Sequence, residues 1–90
     1  MSRVEIVDRN ANPRGTPGKR WLLKDVETGD FYVASGVNAM YTGWEVLVFP
    51  ADERGEITSY GDVAGGRGIT YEDAVESLEQ ALNSEEMEVR

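Results

Sequence analysis

Gly61 and Gly66, followed by Arg67 and Gly68, sit after a strand-like run and ahead of a helix-like one. Their separation is that of the phosphate-binding loop G-x-x-x-x-G-K-S/T, in which backbone N–H groups cradle phosphate and a lysine reaches it. The match fails at the positions that carry the chemistry. Arg67 stands where the lysine belongs, Gly68 replaces the magnesium-binding hydroxyl, and the helix opens with Glu72 and Asp73, which repel an anion from its N-terminus. Gly66-Arg67-Gly68 also has the form of one arginine–glycine RNA-binding unit, in a single copy. The plainer reading is a tight connection into the helix, with Arg67 paired to a nearby acid or turned towards a partner.

Other chemistries lack their reagents. The chain has no cysteine and no histidine, so thiolate sites, disulfides and the usual neutral-pH base and metal ligand are missing. The serines and threonines have no imidazole to activate them. Seventeen carboxylates guarantee some close pairs, so proximity alone does not argue for acid–base catalysis. Asp52-Glu53-Arg54-Gly55-Glu56 lacks the alternating acids of a calcium loop and reads as a turn. The expectation is a non-catalytic protein without metal or cofactor.

Binding residues are better represented. A helix over residues 70–83 is predicted from Tyr71, Ala74, Val75, Leu78, Ala81 and Leu82, which form one apolar stripe, with Thr70 as N-cap and Asp73 completing a variant of the capping box. The opposite face carries Glu72, Asp73, Glu76 and Glu79 and no base. Glu72 and Glu76 form a like-charge i,i+4 pair, unfavourable by a few tenths of a kcal/mol. This face is a candidate docking surface for a basic partner, against the plainer reading of a solvated face on an acidic protein. A second candidate is Met40-Tyr41 with Trp44, residue types favoured at interface centres and equally suited to finishing a core.

The elements that position these residues centre on Trp44-Glu45-Val46-Leu47-Val48-Phe49, the most apolar run, read as the central strand of an antiparallel sheet. Apolar residues on both of its faces imply cover on both. Residues 3–8 suit an edge strand, and 20–26 and 31–35 a hairpin around the turn 27–30. Residues 36–43 read either as strand or as loop, 56–60 as the strand partnering 44–49, and 61–68 as loop. Asn83-Ser84 closes the helix and 84–90 is a frayed tail. The fold class is α+β: four or five antiparallel strands with one C-terminal amphipathic helix packed on one face, in one domain of 90 residues.

The net charge of −8 is unevenly spread. Residues 1–24 hold six bases and two acids, and 25–90 hold three bases and fifteen acids. Residues 9–19, rich in Pro, Gly and Asn, form a loop or basic arm that folds back onto the acidic body or stands free. The arm could touch phosphates, but the acidic body opposes that and argues against nucleic acid as partner. No run has signal-peptide or membrane-span length, so a cytoplasmic protein with no membrane partner is expected. An edge strand near Val4 or Tyr60 could pair across a homodimer axis.

The segments 38–50 (Asn38-Ala39-Met40-Tyr41-Thr42-Gly43-Trp44 to Pro50), Asp62 to Gly68 and Tyr71-Glu72-Asp73-Ala74 resemble small proteins encoded by phages of actinobacteria. The resemblance spans Phe31 to Leu82 and carries no activity. It implies a context, a small phage protein in the bacterial host cytoplasm that binds a host or phage protein. Three functions follow as expectations. The first is a protein-binding module using the acidic helix face or the Met40–Trp44 region. The second is an acidic DNA mimic that inhibits a nucleic-acid-binding protein, and the third is a small ligand binder or enzyme.

Overall fold

A computed structural model describes residues 3–11, 20–39 and 43–88, excluding the side chains of 37–39, 43–44 and 85–88. The chain forms β1 (Val4–Asp8), β2 (Arg20–Asp25), β3 (Phe31–Ala39), β4 (Gly43–Ala51), β5 (Ala64–Arg67) and α1 (Tyr71–Glu88). All strand pairs are antiparallel and the sheet order is β1-β2-β3-β4-β5, a meander with α1 laid over one face. The fold is the α+β architecture expected from the sequence.

Strand alternation sorts the residues. Trp21 and Leu23 of β2, Ala34 of β3, and Val46 and Val48 of β4 are buried beneath Ala74, Leu78 and Leu82 of α1. These helix residues belong to the predicted stripe, and burial of each large side chain contributes about 1.5–3 kcal/mol before entropy. The other sheet face has a smaller core. There Leu22 and Val33 pack with Ala11, which precedes β2, and with Phe31, Ala51 and Ile57. Both faces of the sheet are therefore covered in part, as the two-sided apolar character of 44–49 requires.

Several boundaries differ from the expectation. β4 is an interior strand, but the middle position belongs to β3. Residues 36–39 continue β3, and Asn38 pairs with Trp44 in register. Residues 56–60 are not a strand; they contribute an isolated bridge, Ala51 to Ile57. The partner of β4 is β5, drawn from the glycine-rich stretch expected to be loop. The cause lies at Gly65, which has φ of +104° and where a Cβ would stand 2.2 Å from the Val46 carbonyl oxygen. Such an approach is open to glycine alone. Pro50 lies within β4; its carbonyl accepts from the Thr58 N–H, away from β3, so the missing proline N–H costs no ladder bond. With 56–60 outside the sheet, its edges are β1 and β5, and Tyr60 is not at an edge.

α1 begins as predicted. The Asp73 N–H donates to Thr70 Oγ1 at 3.1 Å and the Thr70 N–H donates to Asp73 Oδ2 at 3.2 Å. It does not close at Asn83-Ser84 but runs to Glu88. Glu85, Glu86, Met87 and Glu88 are good helix formers, and no glycine or proline interrupts them.

Candidate binding surface

The acidic residues of α1 divide into groups with different duties. Glu72 and Glu76 are exposed, one turn apart on one flank. Asp73 is exposed but occupied in the capping box. Glu79 is not part of a free outer face, which corrects the expectation. Its Oε1 accepts the Arg3 N–H at 2.5 Å and the Val4 N–H at 3.3 Å. At 100° per residue Glu79 lies beside the apolar stripe rather than behind it, within reach of the edge strand β1.

Glu79 belongs to a junction built around Arg3. The Arg3 guanidinium forks onto Asp25, with Nε to Oδ1 at 2.9 Å and the second arm to Oδ2 at 3.0 Å. A third nitrogen donates to the Leu82 carbonyl and to Asn83 Oδ1, each at 3.4 Å, and Glu27 lies 3.5 Å from Nε. Arg3 thus ties β1 to the end of β2, to the β2–β3 turn and to α1. Asp25 is fully buried, on the same inward parity as Trp21 and Leu23. Burial alone pushes its carboxyl upward. The Arg3 hydrogen bond, the Glu27 N–H, the Thr28 hydroxyl and the Arg3 charge together hold it below the ordinary 3.8. The basic N-terminal stretch therefore folds onto the acidic body at Arg3, whereas residues 12–19 of the arm lie outside the described residues. The parity of Asp25 was legible in the sequence; its partner was not.

Asp52 is the other carboxylate held low. The Glu56 N–H is the main cause, with the Arg54 N–H and the Arg54 charge adding to it. Its side chain accepts from Arg54 N at 2.9 Å and Glu56 N at 3.0 Å, so it organises the turn anticipated there.

The remaining candidates are dispersed. Arg67 is exposed and stands opposite Glu45 in the β4–β5 register, on the sheet face away from α1. Met40 and Tyr41 lie outside the described residues; Trp44 is placed as part of β4, its side chain outside the description. The structure thus leaves Glu72 and Glu76 exposed together, ties Glu79, their neighbour on the same flank, to the start of β1, and sets Arg67 apart on the other face of the sheet. Two aromatic features escaped the sequence reading. Trp21 packs against Tyr71 with ring centroids 5.1 Å apart, and the Arg9 guanidinium lies 5.2 Å from the Trp21 ring centre. Tyr60 is 78% exposed and leans on Phe49 at 6.1 Å. No group of residues able to hold a metal ion occurs among the described residues, and none of their helices is long and apolar enough to cross a membrane.

No family model, curated protein or solved structure matches the chain.

Proposed function

We propose that the chain is a non-catalytic protein-binding module, phage-encoded and acting in the cytoplasm of a bacterial host. It engages a basic surface on a host or phage protein through the Glu72–Glu76 flank of α1. One observation carries this reading: two like charges one turn apart are held exposed on a helix with no base in its last turn, on a chain of net charge −8. The arrangement costs the isolated helix stability and gives a basic partner an attractive field. Perturbed ionisation often marks catalysis, yet Asp25 and Asp52 both hold backbone turns.

The test is affinity capture from an actinobacterial host lysate, followed by titration of the purified partner against the wild type and the Glu72→Lys, Glu76→Lys double variant. The expected result is at least tenfold weaker binding by the double variant, with unchanged circular dichroism. Equal affinity would refute the docking surface.

A further inference from the structure

On the opposite flank of α1 from Glu79, at the end of the sheet, lies a cavity of about 310 Å³. Its walls include Tyr32, Ala81 and Leu82, and exposed Val63, Thr58 and Asp30 also line it. Ala81 faces this space with a methyl group only, which leaves room between the helix and the β4–β5 connection. The volume is at the bottom of the range of small-molecule sites, about 300–1,000 Å³, and suits one long side chain better than a cofactor.

From this lining we infer that the cavity receives a lysine side chain of a basic partner peptide. Three observations support that occupant. The walls are mixed: Tyr32, Ala81 and Leu82 can cover a four-carbon stem, and the polar part of the surface, somewhat the larger, includes a carboxylate and a hydroxyl that can meet an ammonium group. Asp30 accepts from the Thr28 hydroxyl through Oδ2 at 3.0 Å, and a carboxylate has capacity for further donors. Among the described residues no Lys or Arg lines the cavity, and the acidic chain, with Asp62 exposed next to Val63, attracts cations and repels anions. An anionic ligand would meet no positive charge among the described lining residues. The inference rests on the reading above in one respect, that the partner is basic; the place of contact is separate from Glu72 and Glu76.

The experiment is a two-dimensional amide NMR titration of the full chain at low ionic strength. One peptide carries a single central lysine among uncharged residues, a second carries norleucine there, and n-butylamine serves as the free amine. Saturable shifts at the amides of Asp30, Val63 and Ala81 are expected with the lysine peptide. Affinity should be at least fivefold weaker for the norleucine peptide and for Asp30→Asn, and Ala81→Phe should abolish the shifts. Should Ala81→Phe fail to fold, Asp30→Asn decides alone. Equal responses to lysine and norleucine, or no response at the cavity, overturn the inference. Binding of n-butylamine as tight as the peptide also overturns it, by assigning the cavity to free amines. The two readings fail separately: saturable lysine binding here, combined with unchanged partner capture by the Glu72→Lys, Glu76→Lys variant, removes the helix face and leaves the cavity.

Discussion

Asp25 has no access to solvent, and the Arg3 side chain is only 10% exposed. A pair this dry gives no measure of net stabilisation, because desolvation opposes the attraction. Breaking it is another matter, since one charge is then buried alone. Arg3→Ala should therefore destabilise by about 3–5 kcal/mol near neutral pH, read from urea unfolding in the cold. The acid dependence carries the sign. The folded pKa of Asp25 lies below its ordinary 3.8, so the pair's contribution is complete above that value and is lost as pH falls through it towards the lower folded value. Without Arg3 two of the causes that hold the pKa down are lost, so the variant depends less on the ionised carboxylate. The stability gap between wild type and variant should shrink as pH drops below about 4. A gap equal at pH 3 and pH 7 would show that Arg3 acts through packing and not through the Asp25 charge. At this scale the sequence was half legible. Alternation places Asp25 with Trp21 and Leu23, but the choice of Arg3 over five other N-terminal bases depends on the β1–β2 register, which no local pattern encodes.

The elements were more legible where side chains repeat. α1 announces itself through its stripe and its capping box, and β2, β3 and β4 through alternation. β5 does not, because two of its four residues are glycines with no side chain to alternate. What makes β5 a strand is contact: Gly65 comes close under Val46 and its N–H donates to Ser77 Oγ on α1 at 3.1 Å. The run 56–60 misled in the opposite sense, since Ile57 packs against the smaller core from an isolated bridge and not from a strand. The acidic face of α1 was likewise only partly legible, because Glu79 is claimed by an edge strand far away in sequence. That difference is measurable. Glu79→Ala leaves the Arg3 and Val4 N–H groups without their acceptor and should cost about 1–3 kcal/mol. Glu76→Gln removes one member of a like-charge pair and should be neutral or stabilising by about 0.2–0.5 kcal/mol. Parallel thermal melts compare the two, and equal, small effects would return Glu79 to the solvated face.

At the scale of the whole molecule the governing quantity is the charge of −8 on a body whose Cα radius of gyration is 12.6 Å. At about 0.01 M ionic strength the screening length is roughly 30 Å, so every exposed carboxylate feels the others across the domain; at 0.15 M it is about 8 Å, and only neighbours interact. Salt should therefore relieve self-repulsion and raise the melting temperature. The Arg3–Asp25 pair, being buried, is screened little and does not offset the gain. The same salt should weaken capture of a basic partner, because that attraction acts between exposed charges across an interface. Stability and binding thus move in opposite directions along one variable, which separates a docking surface from a merely solvated one. Differential scanning calorimetry and binding titrations over the same salt series provide the check. A melting temperature that falls with salt would mean that bases already neutralise the exposed acids in the folded chain, leaving no surplus field for a partner.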